Sequence, residues 1–245
     1  MLILDINHLL FFLIVFGANI VQRITGFAGN ILSMPASILL IGIYQSSAVL
    51  NILSMFISTL ICVKNYKYIN YKELRKIVVY MLIGMVVGIY LSSILPLSIT
   101  LRVYALFILF IAIKNLLKRN DSEKDEKQNR ILSILILLVS GIIQGVFVSG
   151  GALLVVYAVK ALNDKDEFRA TMASVWIILG FFLIFSHYRS GFYTVETIQS
   201  IIVGFIPVSL AFFIGNCLHE KINKNTFLIL VYVLLVVSGV ILLVK

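Results

Sequence analysis

Charged residues are scarce in this chain of 245 residues: they make up 13% of it, whereas 61% of its residues are hydrophobic. In a soluble domain of this size, about a quarter of the residues are charged and nearer half are apolar. The mean hydropathy is correspondingly high, at +1.07. Several apolar runs approach the roughly 20 residues that a membrane-spanning helix needs. The composition therefore argues against a soluble all-helical protein and indicates a protein that spans a membrane.

Cysteine is almost absent, and catalytic residue types are missing from the interior of the apolar segments. Cys62 and Cys217 lie in different halves and form no C-x-x-C pair, so neither a disulfide framework nor a cysteine metal site is expected. No Asp, Glu or His lies deep in an apolar segment, and those that come closest are at segment ends: Asp5, His8, His187, Glu196, His219 and Glu220. We therefore predict no metal, no cofactor and no enzymatic activity.

Acidic residues are outnumbered, because 20 Lys and Arg residues against 11 Asp and Glu residues give a net charge of +9. In a soluble protein such an excess would suggest a nucleic-acid partner, but in a chain this apolar it is typical of cytoplasmic loops. We therefore expect contact with a lipid bilayer and no nucleic acid as a partner. The opening MLILDINHLL has no Lys or Arg before its apolar run, so we do not expect a signal peptide.

The apolar residues form eight segments. They fall at roughly 9–43, 45–63, 76–94, 97–117, 131–162, 168–187, 195–218 and 226–244. The one long polar run, KRNDSEKDEKQNR, separates four segments from four and is typical of a linker. We predict a first transmembrane repeat over residues 1–117, a cytoplasmic linker over 118–130 and a second transmembrane repeat over 131–245.

The two halves resemble each other. A shift of 122 positions places Gln22 on Gln144 and Gly29 on Gly151, and it lays the polar stretch TGFAGN over FVSGGA. Few residues are identical, but the interruption and the order of segments recur together. Internal repeats of this kind are common in membrane transporters.

The first segment of each half is too long to be one straight helix. These segments have 35 and 32 residues, and a helix of that length would run about 50 Å through a hydrocarbon core of about 30 Å. Each segment could cross the membrane and continue as a second piece, or return as a hairpin of two half-helices. Hairpins place 16 Lys and Arg residues in loops on one side and three on the other, whereas full crossings give 13 and six. The positive-inside rule favours hairpins.

The predicted fold is therefore an all-α membrane protein of two homologous four-segment halves. Each half has an interrupted re-entrant helical hairpin followed by three transmembrane helices, which gives six full spans. An odd number of spans per half makes the halves inverted repeats, and such repeats let one site open to alternate sides. Both termini are expected outside, and a homodimer is left open.

The interruptions are the most polar parts of the apolar segments. Glycines at both permit a tight break, and a short helix can restart near Asn30 and near Ala152. The first turn of such a helix has free N–H groups and the positive end of the helix dipole, so two meeting helix starts would bind an anion. Arg23 is the only charged residue well inside an apolar segment, and such a charge usually marks function.

We identify eleven candidate substrate-binding residues. They are Gln22, Arg23, Thr25, Gly26, Phe27, Gly29, Asn30, Gln144, Ser149, Gly150 and Gly151. The second-choice residues are Asn51, Thr171, Ser174 and Trp176.

Several candidates also have structural interpretations. Arg23 could instead pair with backbone carbonyls, and Thr25 could satisfy the broken backbone. The two glutamines could brace the hairpins, and Phe27 and Trp176 could simply pack.

Two glycine pairs indicate a close helix contact. Gly84 and Gly88 form one G-x-x-x-G spacing, and Gly141 and Gly145 form another. Small residues four apart let helix backbones approach closely in a membrane, so we interpret both pairs as structural.

The stretches GANIVQRITGFAGNILSMP and GIIQGVFVSGGALLVVYA resemble the two repeat motifs of the sulfite exporter TauE/SafE family, also called the toluene sulfonate uptake permease family. The length, the two four-segment halves and the polar linker also agree with that family. Ala28 and Asn30 stand where the family commonly has glycine, and Tyr157 replaces its second proline. The resemblance implies a cell-membrane transporter of small anions, often sulfur oxyanions, organosulfonates or related carboxylates.

Export is the direction that the sequence favours. With the cell interior negative, each unit of negative charge that leaves gains about 2.3 kcal/mol per 100 mV, which is roughly a fifty-fold bias for a monoanion. Import would need coupling, and no buried proton relay is visible. The alternatives are an anion channel or an importer of a small organic anion on the same scaffold; a membrane enzyme or an accessory subunit is less consistent with the paired interruptions.

Overall fold

A computed structural model describes residues 5–117, 130–162 and 164–218 of the protein, together with Val236, Val240 and Leu243. Over these ranges the chain forms nine α-helices and no strand, which confirms the predicted all-α fold. The helices are α1 (Ile6–Thr25), α2 (Gly29–Ile41), α3 (Ile43–Asn65), α4 (Tyr71–Ile94), α5 (Leu97–Leu117), α6 (Arg130–Phe147), α7 (Gly151–Ala161), α8 (Lys165–Arg189) and α9 (Val195–Leu218). The predicted linker, apart from Arg130, and most of the predicted segment 226–244 lie outside the described residues.

Six helices of the described part are long and apolar enough to cross a membrane. They are Ile6–Thr25, Ile43–Tyr68, Tyr71–Ile94, Arg130–Phe147, Lys165–Arg189 and Val195–Cys217. This set differs from the six predicted spans: it includes α1 and α6, which were expected to be half-helices, and it does not include α5, which was expected to be a span. Helical backbone continues to Thr25 and Phe147, so each break lies late in its apolar segment, and the helix before it is longer than the helix after it. Helices α1 and α6, before the breaks, have 20 and 18 residues, and helices α2 and α7, after the breaks, have 13 and 11.

Contacts between helices fix which helix ends lie together. His8 Nε2 lies 3.4 Å from Glu196 Oε1, and the rings of Tyr44 and Phe192 are 4.9 Å apart. The starts of α1, α3 and α9 and the end of α8 therefore share one end of the bundle, which we call the opposite end.

The other end is rich in Lys and Arg, and we call it the basic end. Asn70 Nδ2 donates a 2.6 Å hydrogen bond to Glu167 Oε1, which brings the end of α3 and the starts of α4 and α8 together there. Eight of the 20 Lys and Arg residues lie in 64–76 and 160–169, at this end.

The two interrupted units enter the bundle from different ends. The α1–α2 unit begins and finishes at the opposite end. Helix α6 runs parallel to α4, because Gly84 faces Leu138 and Gly88 faces Ile142, and Tyr157 of α7 donates a hydrogen bond to Glu73 near the start of α4. The α6–α7 unit therefore begins and finishes at the basic end, and the breaks of the two units point toward each other.

Both glycine pairs lie in one close helix contact, between α4 and α6. A Cβ atom added to Gly84 or Gly88 would collide with the backbone carbonyl of Leu138 or Ile142. Conversely, a Cβ atom on Gly141 or Gly145 would collide with backbone atoms of α4. The absence of side chains at these four positions lets the α4 and α6 backbones touch, which fixes α6 and hence the second break.

The outer surface of the bundle is apolar. Large side chains such as Val86, Phe181 and Phe213 are about two-thirds exposed. In water such a surface would cause aggregation, but lipid tails are as apolar as these side chains. Polar groups are instead concentrated between the helices, where the candidate site lies.

Candidate functional site

The two breaks touch each other inside the bundle. Asn30 Nδ2, in the first turn of α2, donates a 3.1 Å hydrogen bond to the carbonyl oxygen of Val148 in the second break. A Cβ atom on Gly151, the first residue of α7, would lie 3.1 Å from the carbonyl oxygen of Phe27 in the first break. The starts of the two short helices are therefore side by side, each contributed by a different half of the chain.

The first break is built by Gly26 and Thr25. Gly26 ends α1 with φ of 85°, a left-handed conformation that glycine adopts without steric cost, and its N–H donates to the carbonyl of Gln22 at 2.7 Å. Thr25 Oγ1 donates to the carbonyl of Val21 and accepts from the N–H groups of Phe27 and Ala28 at 3.4 and 3.3 Å. Thr25 thus satisfies backbone groups that the break leaves unpaired.

The second break places a β-branched residue in the left-handed region. Val148 has φ of 53°, a conformation that costs such a residue about 1–3 kcal/mol. The surrounding contacts hold it there: its N–H donates to the carbonyl of Gln144 at 3.0 Å, and Ser149 Oγ donates to Tyr104 Oη at 2.9 Å. Strain that is fixed by its surroundings is typical of functional sites.

A small cavity lies where the breaks meet. Its lining comes from both halves: Phe27, Asn30, Ile31, Ser54, Gln144, Val148, Ser149, Gly151 and Trp176. None of these side chains is charged. The volume open to the centre of a water-sized sphere is about 10 Å³, which is room for about one water molecule.

Both short helices begin at this cavity without a capping side chain. No side-chain hydrogen bond caps α2 at Ala28 or α7 at Gly150. Asn30 and Ser149 cap neither helix, because their side chains bond to Val148 and Tyr104. Two helix N-termini, with their amide donors and positive dipole ends, therefore meet at one small cavity.

The two equivalent glutamines brace their own breaks. Gln144 Oε1 accepts a 3.0 Å hydrogen bond from the N–H of Gly150. Gln22 Nε2 donates to Ser54 Oγ at 3.0 Å, and its Cβ would lie 2.8 Å from a Cβ on Gly29, so only glycine fits there. Both glutamines therefore support the backbone at their breaks, and Gln144 also lines the cavity.

Two aromatic side chains wall the cavity. Trp176 Nε1 donates to the carbonyl of Gly26 at 3.1 Å, which ties α8 to the first break. Phe27 packs edge-on against Phe168, with ring centroids 6.2 Å apart. Both predicted aromatic residues are thus at the cavity, and Trp176 also supports the backbone beside it.

Comparison with protein families identifies the family of this chain. The family model of the sulfite exporter TauE/SafE family matches residues 11–242, which is nearly the whole chain. The chain belongs to the TauE/SafE family. The members of this family are transporters, and the six long apolar helices agree with an integral multi-pass membrane protein. No curated protein and no solved structure matches the chain significantly.

Arg23 lies elsewhere in this TauE/SafE protein and is not among the described residues that line the cavity. It is buried against α9, where it donates a hydrogen bond to Asn216 Oδ1 and its guanidinium carbon lies 4.9 Å from the ring centroid of Phe212. Neighbouring residues of a helix point about 100° apart, so Gln22 faces α3 while Arg23 faces α9.

Three of the second-choice residues do not line the cavity, and two of these hold helices together. Asn51 Nδ2 donates to the carbonyl of Gly180, and Thr171 Oγ1 accepts from the N–H of Asn70, each at 3.0 Å. Ser174 Oγ donates to the carbonyl of Ala170 in its own helix. Only Trp176 of this group lines the cavity.

Ser54 is a lining residue that the sequence analysis missed. It belongs to a buried polar stripe on α3, formed by Ser47, Asn51, Ser54 and Ser58. These positions recur every three or four residues, so one helix face is polar within an apolar segment. That periodicity was the available signal, because it marks the face of α3 that turns toward the first break.

Proposed function

We propose that this TauE/SafE protein carries small anions across the cell membrane, with sulfur oxyanions or organosulfonates as substrates and export as the direction. The observation that supports this most strongly is the meeting of two helix N-termini, neither with a capping side chain at Ala28 or Gly150, at one small cavity. Each terminus carries about half a positive charge, so together they offer about one unit to a bound anion.

The lining chemistry suits an oxyanion. Backbone N–H groups at the starts of α2 and α7 can donate to several oxygens at once, and Asn30, Ser54 and Ser149 add side-chain polar groups. The walls formed by Phe27 and Trp176 keep the site apolar elsewhere, which strengthens each charge–dipole contact. A sulfur oxyanion has oxygens on several sides, and donors from two halves can hold it without a cation.

The size of the cavity supports a carrier. Room for about one water molecule is too little for a sulfonate, so binding requires one of the two interrupted units to move. We interpret these units as re-entrant hairpins of inverted repeats. Movement of one unit would then open the site to one side, and movement of the other would open it to the other side.

The transport assay uses purified protein in vesicles, with an inside-negative potential set by potassium and valinomycin. We place the basic end in the cytoplasm because of its Lys and Arg residues.

The expected result is saturable, electrogenic efflux of sulfite that needs no proton gradient, because no lining residue titrates near neutral pH. For a monoanion, 100 mV should shift the final gradient outward about fifty-fold. Competition by thiosulfate, sulfoacetate and small carboxylates defines the substrate class.

Two results of this assay would contradict the proposal. Tightly proton-coupled inward flux would make the protein an importer. Flux without saturation, at rates far above those of carriers, would make it an anion channel.

Replacement of Gln144 by glutamate tests the effect of a negative charge in the cavity while the hydrogen bond that supports the second break is kept. Glutamate keeps the acceptor for the N–H of Gly150 but adds a titratable group to the cavity lining. Burial keeps such a carboxyl neutral at low pH, and it ionises as the pH rises. We expect anion flux through the variant to fall at least about tenfold as the pH rises through its pKa. Flux of a permanently ionised sulfonate, measured between acid and alkaline pH, should stay constant for the wild type, and an equally constant profile for the variant would contradict an anion in this cavity.

A further inference from the structure

Helix α7 is tied to the start of α4 by two side-chain contacts at the basic end. Tyr157, near the middle of α7, donates a hydrogen bond from its hydroxyl to Glu73 Oε2. Lys76 Nζ, on the next turn of α4, lies 4.9 Å from the centroid of the Tyr157 ring, which is within the range of a cation–π contact. The Tyr157 side chain is buried between these partners. The far half of α7 is therefore held against α4 by specific contacts as well as by packing.

The equivalent short helix of the first half, α2, has no such tie. The shift of 122 positions that aligns the halves places Pro35 of α2 on Tyr157, and proline has neither a hydroxyl nor an N–H group to donate. The polar side chains of α2 beyond Asn30 are Ser33, which donates within its own helix, and Ser37, whose Oγ has no hydrogen-bond partner. Among the described residues, α2 is thus held beyond its first turn by packing, without a hydrogen bond to a neighbouring helix.

Within the α6–α7 unit, α6 is fixed more firmly than α7. The four glycines of the α4–α6 contact bring the two backbones together, so α6 cannot shift without separating that interface. Between α6 and α7 the chain passes through Val148, whose φ of 53° is strained for a valine. A change of this dihedral angle can return Val148 to a common conformation, and hinges consist of a few such residues at the ends of helices. The second break is therefore suited to be the hinge of α7.

The position of α7 shows what its movement would open. Its first residue, Gly151, lines the cavity, and Tyr157 lies about 9 Å further along the helix axis toward the basic end. Helix α7 therefore lies between the cavity and the basic end. In this structure its contact with Glu73 keeps it there.

We propose that the hydrogen bond between Tyr157 and Glu73 is a latch, which closes the cavity toward the cytoplasm until α7 swings away about the second break. This inference rests on the proposed function and adds the contact that controls access from the basic end. Substrate reaches the site from the cytoplasm only in the fraction of molecules whose latch is open, so the apparent affinity on that face is reduced by that fraction. A hydrogen bond to a carboxylate is strong enough to shift such an equilibrium at least about tenfold.

The test compares KM for sulfite on each face, in inside-out and right-side-out vesicles. Tyr157→Phe removes the hydroxyl but keeps the ring beside Lys76. It should lower the KM on the cytoplasmic face by roughly tenfold, whereas the KM on the outer face should not fall. Glu73→Gln keeps an acceptor oxygen without its charge, so it should lower the cytoplasmic KM by a smaller factor. The double variant should match Tyr157→Phe, because both changes affect the same bond. Tyr90→Phe, at a tyrosine of α4 that is 65% exposed, is the matched control and should leave both values unchanged.

Amide hydrogen exchange gives a second readout that does not depend on transport. In Tyr157→Phe, the amides of residues 155–161 should exchange faster than in the wild type, whereas those of α6 should keep their protection. Unchanged exchange at 155–161, a cytoplasmic KM that stays constant or rises, or equal changes of KM on both faces would overturn the latch. If Tyr157→Phe fails to fold, the same measurements on Glu73→Gln decide between these outcomes. Absence of any anion flux through folded wild-type protein would instead refute the proposed function, and the exchange result would still show whether α7 is latched to α4.

Discussion

Replacement of Gly151 by valine is expected to abolish anion flux while the bundle stays folded. A Cβ at this position would lie 3.1 Å from the Phe27 carbonyl oxygen, 3.2 Å from Trp176 Cζ2 and 3.3 Å from Ile31 Cδ1, so it fits with small shifts. The two methyl groups of valine would then fill the cavity and cover the first N–H groups of α7. Loss of one helix terminus costs up to about 2 kcal/mol of anion binding, roughly 30-fold, and the lost volume adds to that.

Gly17→Val is the matched control for this variant. Gly17 is also helical, but it is exposed and nothing lies within 4 Å of the added Cβ. Both changes replace a helical glycine by the same residue, so their effects on helix propensity are similar. We expect sulfite flux at the wild-type level for Gly17→Val and background flux for Gly151→Val, with similar unfolding temperatures. Wild-type flux through Gly151→Val would remove the cavity from the transport path.

Replacement of Gly84 by leucine is expected to prevent stable folding. The added Cβ would collide with the backbone of α6 at Leu138, and backbone cannot rotate away as a side chain can. The two helices would have to separate along their whole contact, which costs about 3 kcal/mol or more. Because α6 carries the second break, flux should disappear together with the fold.

The unfolding temperature and monodispersity of the purified protein in detergent measure this effect. Val86→Leu is the control, since Val86 is on the outer face of the same helix and is 65% exposed. It should unfold at the wild-type temperature. A Gly84→Leu protein as stable as Val86→Leu would show that the α4–α6 contact contributes little to the fold.

Much of the fold could be predicted because a membrane limits where polar backbone can be. Glycines and polar side chains inside apolar segments can only mark breaks that face protein, and glycines four apart mark backbone contact. Those two rules located the breaks around Gly26 and Gly150 and marked Gly84 and Gly88 as a place of close helix contact, but they did not identify α6 as the partner. The family resemblance, which the match over residues 11–242 confirms, came from the same stretches.

The rest depended on contacts between distant parts of the chain. The direction of Arg23 is set by Asn216 and Phe212, which follow it by about 190 residues. The unequal lengths of the helices before and after the first break, α1 and α2, depend on helical hydrogen bonds that persist up to Gly26, and a residue type alone does not fix that boundary. The left-handed Val148 was also unpredictable, because valine rarely adopts that conformation and only its neighbours hold it there.

The lengths of the two short helices, α2 and α7, also determine how much of the membrane potential lies between the cavity and each end of the bundle. Helix α7 runs 11 residues from the cavity to the basic end and α2 runs 13 residues to the opposite end, which are distances of about 16 and 20 Å. Under the proposed function, an anion would cross roughly half of the voltage drop before it binds, whichever face it comes from. Half of the full drop corresponds to about 1.1 kcal/mol per 100 mV, so a change in potential retunes the occupancy of the site several-fold even before any conformational change.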